Sequence, residues 1–210
     1  MPRTAEPDIE QRIIEASLQV ILKVGLGGLR VREVARLSGT TVAMIYRRFV
    51  DRDGLLDATV AHFYEIRIRS VVGKTQELAD SDRPLSLDDV VSVLPLPNYE
   101  GSAVVHSVIA RVPALAHENS VFRRRIEAFV EEQYPLFERA VIDIVDRLPP
   151  AEQFDYRIVT TLVLNQNWTL NDLRGKFRVS NDEYQEFMRR LLLSSLPVAA
   201  AEGDQRLTRK

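Results

Sequence analysis

The sequence contains 210 residues, of which 45% are hydrophobic and 28% are charged, so its composition is that of a globular protein with an ordinary core. It contains no cysteine, which excludes disulfides, thiolate metal sites and cysteine nucleophiles. The net charge is −2, but residues 1–56 hold nine Lys and Arg against seven Asp and Glu, whereas the remainder holds 19 against 23. This asymmetry suggests that only the N-terminal end approaches a polyanion such as a nucleic acid.

Targeting and membrane-spanning segments are not expected in this sequence. Residues 1–10 are polar and lack the apolar core of a signal peptide. The longest mostly apolar stretch, residues 191–201, contains two serines and a proline and is shorter than the about 20 residues that a spanning helix needs. We therefore expect a soluble, cytoplasmic protein without a membrane partner.

The N-terminal quarter shows the apolar spacing of amphipathic helices. Hydrophobic residues recur every three or four positions over residues 9–24, and three following glycines end this predicted helix. A second, short helix is predicted over residues 31–37 and a third over residues 42–49. Asp51 is placed to cap a long fourth helix.

The rest of the chain is also predicted to be helical, with breaks at polar and proline clusters. Residues 80–84 indicate a loop, and Ser86 with Asp89 resembles a capping box for the helix that follows. Further helices are predicted over residues 102–111, 119–148 with a kink at Pro135, 152–173, and 181–196 with a capping box at Ser180 and Glu183. Because neither strand-like alternation nor an internal repeat is present, the predicted fold class is all-α.

The spacing of small and apolar residues over residues 31–50 predicts a helix-turn-helix motif. Ala35 lets a second helix cross the first closely, and Gly39, four positions later, supplies a left-handed turn. Ile45, six positions after the glycine, then lies on the inner face of the second helix. The other inward positions are assigned to Val34 and Leu37. The same spacing also occurs in helical hairpins for packing reasons alone.

The second helix of this motif is predicted to be the recognition helix. Thr41 caps its N-terminus, which directs free backbone N–H groups towards a phosphate. Arginine can bond a guanine edge bidentately or grip phosphate, and tyrosine can reach a phosphate or stack. The candidate DNA-binding residues are Arg30, Arg32, Thr40, Thr41, Val42, Ala43, Tyr46, Arg47, Arg48 and Arg52. The alternative for adjacent arginines is an ordinary solvated surface.

The segments IIEASLQVILKVG and VREVARLSGTTVAMIYRRFVDRDGLL resemble the N-terminal domain of the tetracycline-repressor (TetR) family. The first segment carries that family's Ile-x-x-Ala-type pattern, at Ile13 and Ala16, and its closing glycine, at Gly25. The second carries a tyrosine and a phenylalanine three residues apart, at Tyr46 and Phe49. The polar, basic, acidic and leucine positions that follow are matched by Asp51, Arg52, Asp53, Leu55 and Leu56. The resemblance covers about the first 60 residues.

Three positions depart from the family pattern. Arg30 stands where a capping threonine is common, which leaves only Glu33 of the capping box. Met44 replaces a hydroxyl residue that often touches phosphate, and Arg52 replaces a frequent lysine. These departures concern individual phosphate contacts and leave the fold prediction unchanged.

The resemblance implies a helix-turn-helix domain over residues 1–56 and a helical effector-binding and dimerisation domain over residues 57–210. It implies a sequence-specific transcriptional regulator, a repressor that a small, largely apolar ligand releases from its operator, with no cofactor and no metal. In the family's plan the last two helices pair with those of a partner subunit. We therefore expect a homodimer on a roughly palindromic operator.

Two groups of candidate residues belong to this second domain. The candidate ligand-binding residues combine apolar bulk with polar tips, and they are Phe63, His106, Phe129, Tyr134, Asn165 and Trp168. For each of them a place in the core or the dimer interface is the alternative. The candidate dimer-interface residues trace apolar helix faces, and they are Phe154, Ile158, Leu162, Tyr184, Phe187, Met188, Leu191 and Leu192.

The alternative classes of function are an enzyme and an architectural or effector-independent DNA-binding protein. An enzyme is not expected, because the three histidines His62, His106 and His117 lack metal-ligand spacing and no nucleophile, phosphate-binding or dinucleotide motif is present. Arg123 and Arg124 are expected to lie on a solvated face rather than at a second nucleic-acid site. An architectural or effector-independent DNA-binding protein stays open as the alternative function.

Overall fold

The computed structural model describes residues 9–94, 102–157, 159–160 and 180–194. The helices are α1 (Ile9–Val24), α2 (Val31–Ser38), α3 (Val42–Phe49), α4 (Arg52–Ala79), α5 (Leu87–Val93), α6 (Ser102–Glu118), α7 (Ser120–Arg147) and α8 (Asn181–Leu193), with 3₁₀ turns at Leu26–Gly28 and Pro150–Glu152. No strand occurs in the described residues, and the all-α prediction is confirmed. In the same residues, none of the helices combines the length and the hydropathy that crossing a bilayer requires.

Helix α1 forms because its apolar residues fall on one face. Ile13, Val20 and Ile21 are buried on that face, as the three-and-four spacing predicts. The helix ends at Gly25, which has φ 78° and whose N–H donates to the Ile21 carbonyl at 2.7 Å. Glycine adopts this positive φ without the steric cost that a Cβ atom would bring.

Helices α2 and α3 form the predicted helix-turn-helix. Gly39 has φ 65°, in the left-handed region, and Ile45 is 0% exposed on the inner face of α3. The inward position predicted for Leu37 is wrong, because Leu37 is 40% exposed. The buried stripe of α2 follows the spacing i, i+3, i+4 and i+7, and Leu37 falls outside it. That stripe consists of Val31, Val34, Ala35 and Ser38.

Helix α4 begins three residues after the end of the recognition helix in the chain. The predicted cap is confirmed, since Asp51 Oδ1 accepts a hydrogen bond from the Gly54 N–H at 2.7 Å. The predicted domain boundary between residues 56 and 57 lies within this 28-residue helix and stays a prediction.

Two predicted helix boundaries are corrected. Helix α6 does not end at residue 111 but runs to Glu118 through Pro113, because Val112 and Leu115 are buried around the proline and hold the helix in place. The helix predicted from Glu152 onward does not start there, because Pro150–Glu152 forms a 3₁₀ turn and residues 153–155 are not helical. The capping boxes at Ser86–Asp89 and Ser180–Glu183 are confirmed.

The chain divides into two compact units. The first unit comprises, among the described residues, 9–68 and 102–130. It has one continuous apolar cluster from α1 to the start of α7, to which Ile13, Ile45 and Phe122 belong. Burial of this cluster fixes the helix-turn-helix against α4, α6 and α7.

The second unit comprises, among the described residues, 69–94, 131–157, 159–160 and 180–194. Its core includes the fully buried side chains Phe154, Met188 and Leu192. Polar contacts hold its irregular segments, since the Glu152 carboxylate accepts a hydrogen bond from the Leu87 N–H at 2.8 Å. The Arg147 guanidinium donates to the Arg83 carbonyl at 2.9 Å and also to the Ala79 and Ser81 carbonyls.

Candidate nucleic-acid interface

The recognition helix α3 has a capped N-terminus. The hydroxyl of Thr41 accepts a hydrogen bond from the Met44 N–H at 3.2 Å, so the predicted N-cap is confirmed. The N–H groups of the first turn make no intrahelical bond and carry the positive end of the helix dipole. The candidate residues Val42 and Ala43 lie in this turn, and Thr40 precedes it with its hydroxyl 3.5 Å from the Met44 sulfur.

The two faces of α3 differ in character. Ile45 and Phe49 are buried and attach the helix to the core of the first unit. Ala43 and Arg47, which are four residues apart, are exposed on the opposite face, and Tyr46 is exposed beside them. The outward face therefore presents a small residue followed by a guanidinium, an arrangement that can approach a base edge closely.

The two adjacent arginines of α3 have different surroundings. The Arg48 Nη1 atom lies 3.3 Å from the Glu10 carboxylate, at the start of α1. Within the part of the chain that the structure describes, Arg47 has no ion-pair partner, and the exposed Arg32 has none either. Glu10 was not among the residues predicted from sequence, because nothing local relates it to a residue 38 positions away.

Arg52, a predicted DNA contact, is engaged within the first unit. Its Nε donates to the Leu29 carbonyl at 3.2 Å and its Nη2 to the Leu26 carbonyl at 3.1 Å. These bonds join the start of α4 to the loop between α1 and α2. Arg30, which occupies the N-cap position of α2, likewise donates to the Gly27 carbonyl at 3.2 Å. Both side chains stabilise this loop, and their DNA contacts stay predictions.

The connection from α3 to α4 is strained. Val50 has φ 68° and ψ −58°, and the Asp51 N–H donates to the Phe49 carbonyl at 2.8 Å, which closes a γ-turn. A Cβ atom at Gly54 would lie 2.1 Å from the Phe49 carbonyl oxygen. The glycine therefore gives the turn the space that it needs, and this pairing was not predicted from sequence.

Polar pairs join α4 to the start of α7 in the first unit. The Arg125 guanidinium donates to both oxygens of the Glu65 carboxylate, at 2.7 and 3.2 Å, and Glu65 is buried. The Asp57 carboxylate accepts a hydrogen bond from the Asn119 side chain at 3.1 Å. Burial raises the pKa of Asp57, and the bond from Asn119 offsets part of that increase.

The predicted ligand-binding residues that the structure describes are divided between the two units, and their ligand contacts stay predictions. Phe63 and Phe129 are buried in the first unit, where the Phe129 ring meets the Tyr64 ring edge-on with centroids 6.5 Å apart. Tyr134 lies in the second unit and bonds the Glu138 carboxylate at 3.2 Å. The remaining three, the His106 side chain, Asn165 and Trp168, lie outside what the structure describes.

The second unit contains a narrow apolar cavity of about 10 Å³, which has room for one water molecule at most. Helices α4, α5 and α7 and the segment after the 3₁₀ turn surround it. Its lining consists of Val71, Thr75, Val90, Val93, Leu94, Phe137, Val141, Ile144, Phe154 and Val159. None of the predicted ligand-binding residues is in this lining. In the described part of the chain, no group of three acidic or histidine side chains is placed to hold a metal ion.

The predicted dimer-interface residues fall into different surroundings. Phe154, Met188 and Leu192 are buried inside their own chain, so their assignment to an interface is corrected. They fit the apolar spacing because they form the chain's own core. Phe187 is 59% exposed, and Tyr184 and Leu191 are half-buried. Ile158 and Leu162 lie outside the described residues.

Residues 13–59 match the model of the family described as bacterial regulatory proteins, tetR family. The regulator BetI of Ectopseudomonas mendocina is 32% identical over 85 residues, which cover 40% of this chain and 43% of that protein. BetI of Pseudomonas fluorescens is 30% identical over 105 residues, covering 50% and 51%. The chain thus spans about half the length of the curated relatives it matches.

Solved structures share the fold over most of the chain. A TetR-family transcriptional regulator from Mesorhizobium loti has a TM-score of 0.60 at 15% identity, covering 90% of this chain and 96% of that one. The multidrug binding protein EbrR in complex with malachite green has a TM-score of 0.52 at 21% identity, covering 91% and 100%. The matched family consists of regulatory proteins rather than enzymes, as the sequence predicted.

Proposed function

We propose that this chain, whose residues 13–59 match the tetR family of bacterial regulatory proteins, is a sequence-specific transcriptional regulator. The observation that carries this proposal is helix α3, whose capped N-terminus and outward Ala43–Arg47 face stand clear of the buried Ile45 and Phe49. We infer that α3 enters the major groove of an operator and that the chain acts as a repressor, on chromosomal DNA in the cytoplasm.

The proposed contacts follow from the two ends of the helix. The free N–H groups behind Thr41 bind a phosphate and fix the position of α3 on the duplex. Arg47 then reads a guanine edge through two hydrogen bonds, and Ala43 lets the helix approach a thymine methyl group. Two such helices in a two-fold dimer read two half-sites, which makes the operator roughly palindromic.

The test is selection of duplexes from a random pool, followed by affinity measurements on the selected operator. Arg47→Ala should cost about 1–3 kcal/mol of binding and relax the preference at one base pair. The matched control is Arg36→Ala on α2, where the side chain pairs with Glu33 at 3.8 Å and no base contact is proposed. Failure of the unmodified protein to select any duplex at low salt would defeat the proposal.

We also propose that a small, largely apolar ligand controls this binding from the cavity of the second unit. The lining is hydrophobic apart from Thr75, whose hydroxyl already donates to the Val71 carbonyl at 2.9 Å, and this matches apolar ligands rather than charged ones. Because the cavity holds one water molecule at most, a ligand has to open it. A ligand that favours the opened form weakens operator binding, and the operator weakens ligand binding by the same factor.

A screen for apolar dyes and metabolites that release the protein from its operator tests whether a ligand regulates DNA binding. Val141→Ile adds one methylene, which suits the size of the cavity, and should reduce release while operator binding is retained. Val121→Ile makes the same change at an exposed site and should leave release intact. Unchanged release in Val141→Ile would place the ligand elsewhere, and no release by any compound would favour an effector-independent DNA-binding protein.

A further inference from the structure

The ion pair between Arg48 and Glu10 links the recognition helix to the first turn of α1. Its closest N–O distance is 3.3 Å, and the two side chains are 33% and 50% exposed. The pair is therefore partly screened by solvent, and its contribution to stability is small. Because the pair lies beside the proposed DNA surface, we expect it to affect DNA binding more than stability.

The position of Arg48 on α3 explains why it reaches α1. Successive residues of a helix are rotated by about 100°, so Arg47 lies opposite the buried Ile45 and Phe49, whereas Arg48 lies on the flank. The same flank faces the first turn of α1, where Glu10 is located. The Arg47 guanidinium thus lies on the outward face of α3, whereas the Arg48 guanidinium is held against α1 by Glu10.

A carboxylate at this place has an electrostatic cost for DNA binding. Glu10 repels phosphates and neutralises the charge that Arg48 would otherwise offer to them. Acidic residues in the first turn also stabilise a helix through its dipole, a role that needs no arginine partner. The observed contact with Arg48 distinguishes the two roles, because only a pairing role makes the effect of Glu10 depend on Arg48.

We propose that Glu10 is a specificity-determining positioning residue of the operator site. By holding Arg48 against α1, it keeps this guanidinium away from the phosphates of unrelated DNA. Discrimination between sequences is left to Arg47 on the outward face. This inference rests on the proposed function, since it assigns roles within the same DNA surface.

The test compares the unmodified protein with Glu10→Gln, Arg48→Ala and the double variant. For each, the affinities for the selected operator and for a random duplex are measured over a range of salt concentrations. In Glu10→Gln the freed Arg48 should gain a phosphate contact, which steepens the slope of log affinity against log salt by about 0.9. Affinity for random DNA should rise several-fold more than affinity for the operator. Adding Arg48→Ala should reverse both changes.

Glu15→Gln on the same helix is the matched control, because it removes one charge from α1 at a residue that contacts Gln11 and not Arg48. It should leave the ratio of operator to random affinity unchanged in either Arg48 background. Two results would overturn the inference. One is a salt slope that becomes shallower by about 0.9 in Arg48→Ala alone, because Arg48 would then already contact a phosphate. The other is a ratio of operator to random affinity that is unchanged in Glu10→Gln. Both differ from failure of the proposed function, in which the unmodified protein selects no duplex.

Discussion

Val50 is a residue whose backbone conformation conflicts with its side chain. Its φ of 68° is unfavourable for a β-branched residue, and its side chain is 82% exposed and buries little surface in return. Val50→Gly should therefore raise stability by about 0.5–1 kcal/mol, since relief of strain exceeds the extra entropy of an unfolded glycine. Urea unfolding measures the change. Val121→Gly, also exposed but in the first turn of α7, should instead lower stability slightly, because glycine is a poorer helix former than valine. Equal losses in both variants would show that the positive φ carries no cost.

Residue roles were predictable from sequence where the partner is near in the chain. Thr41, Gly39 and Asp51 act on groups three or four residues away, so turn and cap preferences reveal them. Arg48 and Arg52 look like DNA contacts in the sequence, but their partners lie 38 and up to 26 residues away. Such contacts depend on how helices pack, which spacing along one helix does not encode.

At the scale of elements, the junction of α3 and α4 depends on one glycine. Gly54→Ala should destabilise the protein and weaken DNA binding, because its Cβ atom would meet the Phe49 carbonyl at 2.1 Å and displace the end of the recognition helix. Gly73→Ala, in the same helix α4, meets no atom within 4 Å and should stabilise by about 0.5–1 kcal/mol. Thermal unfolding and operator affinity measure both variants. A Gly54→Ala protein that binds DNA normally would contradict this account of the junction.

The capping box of α5 predicts a dependence on pH. Arg83 Nη1 donates to Asp89 Oδ2 at 2.9 Å, and the Ser86 N–H donates to the same oxygen. These hydrogen bonds hold the pKa of Asp89 well below its ordinary value. A lowered folded pKa gives stability above the ordinary aspartate pKa, and this stability is lost as pH falls towards the folded value. Asp89→Asn should therefore reduce stability most at pH 7 and by a smaller amount at pH 3, where the unfolded carboxyl is largely protonated but the folded one is still ionised. The exposed Asp82→Asn serves as the control, and a loss at pH 3 equal to that at pH 7 would contradict the linkage.

Most elements were predictable because their signals are local, and the exceptions have a tertiary cause. The apolar spacing and caps of α1, α3 and α5 fix those helices. Helix α6 continues through Pro113 because burial of its neighbours compensates for one missing hydrogen bond. Tertiary burial of this kind cannot be predicted from the local sequence.

At the scale of the whole molecule, we expect a homodimer in which α8 contributes the exposed Phe187. Phe187→Glu should shift the protein to monomers at micromolar concentration and weaken operator binding, because a charge would be buried at the interface. Sedimentation measures the state of assembly. Val121→Glu places the same charge on an exposed residue of the first unit and should leave the dimer intact. Sedimentation of Phe187→Glu as an unchanged dimer would place the interface on another surface.

The apolar periodicity of α8 alone could not separate interface residues from core residues. Met188 and Leu192 share this periodicity with Phe187, but they are buried in the chain's own core.

The continuous core of the first unit has a consequence for engineering hybrid regulators. Side chains from α6 and α7, among them Ile109, Leu115 and Phe122, belong to the same buried cluster as Ile13 and the recognition-helix residue Ile45. A chimera made by grafting only the N-terminal 60 residues onto another regulator would confront this cluster with foreign partners. The interchangeable module is therefore discontinuous along the chain, and a graft that keeps its operator preference has to carry residues 102–130 as well.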